Sequence, residues 1–126
     1  MKIIVAGSRT IKNKQEVFHC ISNGIMQLCK KEPSPLKVEL VSGGAKGVDT
    51  LADDFAKIWK MEITIFHANW NQFGKRAGYL RNILMADYVG EEGALIAIWD
   101  GKSRGTKMMI DIAKKKGMAV VIYENR

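Results

Sequence analysis

The sequence predicts an α/β fold, a doubly wound and mostly parallel five-stranded sheet in a three-layer α/β/α arrangement. Two observations carry this expectation. Short apolar runs alternate with segments of helical spacing along the 126 residues, the order that produces right-handed crossovers and a parallel sheet. Three of the apolar runs also end in the same kind of turn, which combines glycine, a small hydroxyl residue and a cation and opens a helix-like segment. These turns are Gly7-Ser8-Arg9-Thr10, Ser42-Gly43-Gly44-Ala45-Lys46-Gly47 and Trp99-Asp100-Gly101-Lys102-Ser103-Arg104-Gly105-Thr106.

The elements follow in chain order. Lys2–Ala6 is the first strand. Asn13 and Glu16 then have the spacing of a capping box, and Val17, Ile21, Ile25 and Leu28 form a helical apolar stripe. This helix should end before Pro33-Ser34-Pro35, because proline disfavours helix in the residue before it. A second strand is expected at Lys37–Val41, and a helix from about Gly47 to Lys60 with Leu51, Phe55 and Trp59 on one face. Glu62–Phe66 is a short third strand rich in β-branched residues. His67–Gly78 reads as loop, and Tyr79–Tyr88 as a helix turning Leu80, Leu84 and Tyr88 inward.

Ala94–Trp99 is almost wholly apolar, as a strand buried on both faces must be. Arg104–Lys116 is the last helix, with Met109, Ile112 and Ala113 inward, and Met118–Tyr123 the last strand. Lys114-Lys115-Lys116 before Gly117 suit a helix C-terminus, where cations complement the dipole and glycine caps the end, although a binding patch is the alternative.

Composition narrows the function classes. With 47% hydrophobic and 26% charged residues the chain is neither disordered nor fibrous. No apolar run approaches the ~20 residues of a membrane span, and the start lacks the basic, apolar and cleavage regions of a signal peptide. A cytoplasmic location with no membrane partner is therefore expected. Cys20 and Cys29 lack redox or metal-ligand spacing, which suits reduced structural thiols. A net charge of +7 favours anionic partners, either small phosphorylated molecules or nucleic acid.

In a doubly wound sheet ligands bind beyond the strand C-termini, where the strand order reverses. With the order 3-2-1-4-5 that point lies between the first and fourth strands, so the first and last turns face each other with the second beside them. Glycines let backbone N–H groups approach an anion, and helix N-termini favour negative charge. The expected phosphate cradle comprises Gly7, Ser8, Gly43, Gly44, Gly105 and Thr106, with Ser42, Ala45, Gly47 and Ser103 completing the turns. Arg9, Lys46, Arg81 and Arg104 would neutralise charge.

Asp49, Asp100 and Asn82 would contact ribose or base edges, and Trp99 or Trp70 would stack. Duller roles stand beside these. Lys46 lacks the Walker spacing, Asp49 also complements a helix dipole, and Asp100 also suits a turn cap or a divalent ion. Both tryptophans also suit a core. His19 reads as surface and His67 as structural. The carboxylates are too dispersed to name a metal ligand set, and no cofactor is specified beyond a nucleotide-derived ligand.

The combination GSR after the first strand, SGGAKGVD after the second and WDGKSRGT after the fourth resembles the SLOG superfamily, which unites the Smf/DprA proteins with the LOG phosphoribohydrolases. Ala68-Asn69-Trp70 and the run Gly78 to Met85 narrow the likeness to the small YspA-like bacterial and phage branch. The resemblance spans nearly the whole chain. It implies one SLOG-type, Rossmann-like nucleotide-binding domain over residues 1–126; a sensor or carrier role is the expectation drawn here.

LOG enzymes carry a PGGxGTxxE motif with a catalytic glutamate, and an arginine on the preceding helix. Gly105-Thr106-Lys107-Met108 is similar to the GTxx portion, Met109 stands in the glutamate's place, and Arg81 resembles the arginine. A thioether cannot serve as a general acid, so LOG-type hydrolysis is not expected. Two alternatives stay open: a hydrolase of N-glycosidic or phosphate bonds using Asp49 or Asp100, and a single-stranded nucleic-acid binder. A homo-oligomer also remains open.

Overall fold

The computed structural model describes residues 1–29 and 38–124. Its strands are β1 (Lys2–Gly7), β2 (Glu39–Ser42), β3 (Glu62–Ile65), β4 (Ala94–Trp99) and β5 (Ala119–Glu124). They form one sheet in the order β3-β2-β1-β4-β5, and every neighbouring pair is parallel. The helices are α1 (Lys14–Leu28), α2 (Val48–Ile58), α3 (Trp70–Phe73), α4 (Ala77–Val89) and α5 (Arg104–Lys116). Lys37, the expected start of the second strand, and the stop signal Pro33-Ser34-Pro35 lie outside the described residues.

Strand side chains alternate between the two faces of the sheet, and each face has its own core. On one face Ile3, Val5, Leu40, Ile96 and Ile98 meet Val17 and Ile21 of α1 and Val48 and Phe55 of α2. On the other, Ile4, Val41, Leu95 and Ala97 meet Met85 and Val89 of α4 and Met109 and Ala113 of α5. Each fully buried aliphatic of this kind contributes roughly 1.5–3 kcal/mol. The four long helices are therefore split two and two across the sheet, α1 and α2 against α4 and α5, which fixes β1 and β4 as the pair between which the winding reverses.

Local signals explain the helix ends. Asn13 caps α1, its side chain accepting from the Glu16 N–H at 3.0 Å. At the other end of the chain Gly117 takes the left-handed conformation and its N–H reaches the Lys114 carbonyl at 3.1 Å. Lys114, Lys115 and Lys116 occupy the last turn of α5, and Lys116 pairs with Asp87 at 2.7 Å.

Three expectations need correction. The 67–78 segment holds α3, capped by Asn69 onto the Gln72 N–H, and a 3-10 turn at Gly74–Arg76, both too short to carry a periodic signal. Helix α4 turns a different face inward: Asn82, Met85, Ala86 and Val89 are buried, while Leu84 is 57% exposed. Tyr88 is exposed too, donating to Glu39 Oε2 at 2.6 Å and packing against Phe66 at the edge of the sheet. The buried face includes the polar Asn82 and the small Ala86, which counting large apolar residues overlooks. Trp59 lies just past α2 and is also exposed, whereas Phe55 is buried edge-on against Phe18.

No helix of the described residues is long and apolar enough to cross a membrane. Neither Cys20 nor Cys29 is in a disulfide among the described residues.

Candidate functional site

The C-terminal ends of β1, β2 and β4 carry the three glycine-bearing turns, and hydrogen bonds tie them into one unit. Ser8 is buried directly after β1. Its N–H donates to the Ile98 carbonyl at 3.1 Å, and its Oγ accepts from the Asp100 N–H at 3.0 Å. Asp100 in turn organises the start of α5: Oδ1 accepts from the N–H groups of Lys102 and Ser103, both at 2.8 Å, and Oδ2 from Thr10 Oγ1 at 3.2 Å. These donors, Lys102 and Ser103 foremost, hold the Asp100 carboxyl below the usual carboxylate range. It is a staple between the first and last turns.

The turn after β2 is held differently. Ser42 Oγ accepts from the Gly44 N–H at 3.2 Å, and the Ala45 N–H donates to Asp49 Oδ2 at 3.1 Å. Gly47 has φ +78, and a Cβ there would lie 2.7 Å from the Arg9 carbonyl oxygen. Only glycine combines that conformation with so close an approach, so the second turn packs directly on the first.

Helix α4 supplies the fourth wall. Arg81 donates from Nη1 to the Gly43 carbonyl at 2.7 Å and from Nε to Asn82 Oδ1 at 3.1 Å. Asn82 Nδ2 donates onward to the Gly105 carbonyl at 3.4 Å. One relay thus links the second turn, α4 and the first turn of α5, and leaves the guanidinium facing the space between them. Burial lowers the Arg81 pKa; the Asp49 carboxylate opposes that shift and Arg9 adds to it.

These walls enclose a cleft of about 420 Å³ at the β1/β4 reversal point. Of the residues expected at a site, Gly7, Arg9, Ala45, Asp49, Arg81, Asn82, Asp100, Ser103 and Gly105 line it. Sequence reasoning had not singled out Thr10, Lys102 and Met85 for the site; they line it too, with Met109. Thr10 and Lys102 stand inside the recognised turns, so the signal for them was present. Met85 comes from the unexpected inward face of α4.

The other expected residues have different surroundings. Ser8, Ser42 and Thr106 are buried within the turns, and Gly43 offers its carbonyl to Arg81. Gly44 faces Ile65 and His67, and Gly47 faces Arg9. Lys46 and Arg104 are exposed, Arg104 beside Tyr79 and Lys107 on a separate shallow depression. Neither tryptophan lines the cleft. Trp99 donates its indole N–H to the Ser103 carbonyl at 3.0 Å and packs on the α4/α5 core. Trp70 starts α3, half exposed, beside Gly78.

Asp49 is the unusual group of the cleft. It is 7% exposed at the start of α2. Burial pushes its pKa up to about 6 against the lowering pull of the Ala45 N–H, Arg81, Arg9 and Gly43. A carboxyl poised there exchanges a proton near neutral pH. Among the described residues no group of three or more His, Cys, Asp or Glu side chains is placed to hold a metal ion.

An all-parallel, doubly wound sheet with a cationic cleft at its reversal point defines a Rossmann-like domain. The chain belongs to the YspA, cpYpsA-related SLOG family, whose sequence profile matches residues 1–73. It is also 30% identical over 132 residues to the Gene 61 protein of Mycobacterium phage D29, across 99% of this chain and 98% of that protein. The profile match contains the first two turns, and the phage relative extends the likeness over Arg81 and the turn after β4. No solved structure matches the chain.

Proposed function

We propose that the cleft binds a nucleotide or nucleotide-derived small molecule through its phosphate, and that the protein is a cytoplasmic sensor or carrier of that molecule. The observation that carries this reading is the Arg81 guanidinium, oriented by Gly43 and Asn82 and facing the first turn of α5. A preoriented guanidinium takes phosphate oxygens bidentately, and the helix N-terminus adds N–H donors to the same anion. Gly105 leaves that approach open, since a Cβ built on it meets nothing within 4 Å. Arg9 and Lys102 add positive charge at the rim. Family membership supports a nucleotide-related ligand.

Met85 and Met109 back the cleft from the core side, 2% and 1% exposed, and offer little surface to a ribose or base. Met109 occupies the place of the LOG glutamate and is 1% exposed, so the cleft keeps an anion-binding arginine without that acid. Binding without LOG-type hydrolysis follows.

Denaturing the natively purified protein and separating the released small molecules by liquid chromatography and mass spectrometry tests the reading. A phosphorylated nucleoside derivative lost from an Arg81→Ala preparation is the expected result. Recovery of an oligonucleotide instead would turn the reading toward nucleic acid.

A further inference from the structure

We infer that the cleft takes up a proton together with its anion, and that Asp49 is the residue that receives it. The inference rests on the reading of the cleft as a phosphate site and adds how that site is regulated.

The geometry puts a carboxyl where an anion must come. Asp49 Oδ2 is held by the Ala45 N–H at 3.1 Å, at the floor of the same cleft that Arg81 and Arg9 enter. The charged groups facing it are few. Arg81 from α4 and Arg9 from the first turn act on it, and Lys102 and Asp100 line the same cleft from the turn after β4. The Asp100 carboxylate is already engaged by two backbone N–H groups and Thr10, which keeps it ionised. The other lining groups named above, Asn82, Ser103, Gly105, Met85 and Met109, are neutral. Asp49 is thus the titratable group of the cleft whose charge can change near neutrality.

An incoming phosphate acts on that carboxyl in two ways. It adds negative charge close by, and it draws on the two guanidinium groups that otherwise favour the carboxylate. Both effects raise the pKa of an acid, and the acid already stands at about 6. A modest further rise carries it through neutral pH, so the bound state keeps a proton that the free state has lost. The proton goes from solvent to a carboxylate oxygen, and no bond of the ligand is broken. Proton and anion then bind cooperatively, each favouring the other by the same factor.

Isothermal calorimetry with inorganic sulfate, an anion that does not itself titrate near neutrality, measures this directly, and AMP, whose phosphate titrates at about pH 6, serves as the second probe of binding alone. Titrations in buffers of different ionisation enthalpy count the protons taken up. Wild type is expected to take up close to one proton per anion, with affinity falling by up to about tenfold per pH unit above the free pKa. Asp49→Asn keeps an oxygen for the Ala45 N–H and should show no uptake and a flat profile. A carboxyl carbon-13 titration of wild type, with and without sulfate, reads the same shift without a variant.

The outcomes separate the two claims. Sulfate binding without proton uptake, or sulfate-linked uptake that persists in Asp49→Asn, overturns the proton inference and leaves the phosphate site standing. No binding of either probe to wild type removes the site itself, and the inference with it.

Discussion

Arg81 donates from Nη1 to the carbonyl of Gly43 at 2.7 Å, tying α4 to the turn after β2 across 38 positions of sequence. The same side chain holds Asn82 through Nε. Arg81 is therefore both a wall of the cleft and a brace between turns, whereas Arg9 is exposed at the rim.

Replacing each arginine with alanine separates the two roles. Charge-assisted hydrogen bonds contribute roughly 1.5–3 kcal/mol each, so either variant should weaken nucleotide binding about tenfold or more. Arg81→Ala should also lower unfolding stability by about 1–3 kcal/mol, because the Gly43 and Asn82 groups lose a partner. Arg9→Ala should stay within about 0.5 kcal/mol of wild type. Calorimetry for affinity and urea denaturation for stability check the pair; equal stability losses in both variants would contradict the assigned brace.

The glycines of the turns divide in the same way. Gly44 has φ +69, and a Cβ there would lie 2.9 Å from Ile65 Cγ2. Gly44→Ala is strained whatever the ligand and should cost about 1 kcal/mol or more. Gly105 sits in the first turn of α5 with open space where its Cβ would be. Gly105→Ala should therefore hold or raise Tm, by about 0.5–1 kcal/mol in stability, while losing affinity as the methyl enters the cleft. A thermal melt combined with one binding isotherm for each variant decides the matter.

Asp49 gives the free protein its own pH dependence. Its pKa in the fold, about 6, lies above the ordinary value of 3.8, so the fold binds this proton more tightly than the unfolded chain does. That contribution is complete below the unfolded pKa and is lost as pH rises through the folded one. Asp49→Asn should be the more stable protein above about pH 7, by up to about 3 kcal/mol, with the gap closing below about pH 4. Denaturant melts of both proteins across that range check the sign; a variant less stable than wild type at high pH would contradict it.

Catalysis of the LOG kind is not expected. Incubation with nucleoside monophosphates should release no free base, since Met109 supplies no acid. Chromatography of the mixture is the check. Base release that disappears in Asp49→Asn would make that carboxyl a general acid and the protein an enzyme.

The legible parts of this molecule were those where side-chain chemistry and backbone demand coincide. Ile3 to Val5 and Leu95 to Ile98 are buried on both faces of the sheet, so their apolar runs mark strands directly. The turns showed themselves through Gly44 and Gly47, which take conformations that other residues rarely adopt. Helix α4 was less readable, because its buried face holds Asn82 and Ala86 while Leu84 points to solvent. Trp99 illustrates the same limit at the cleft. Its position at the end of β4 suited stacking, but the Ser103 carbonyl engages its indole N–H from the following turn. Nothing local in the sequence announces that bond.

Mapping backbone amide shifts during a titration with AMP tests the central claim most directly. Binding at the β1/β4 cleft predicts the largest changes at residues 7–10, 43–49 and 103–106 and at the Arg81 side chain, the backbone changes being reached in Arg81→Ala only at about tenfold or more higher nucleotide. Saturable changes confined to Lys114–Lys116, or no changes at millimolar nucleotide, would contradict a nucleotide site in this cleft.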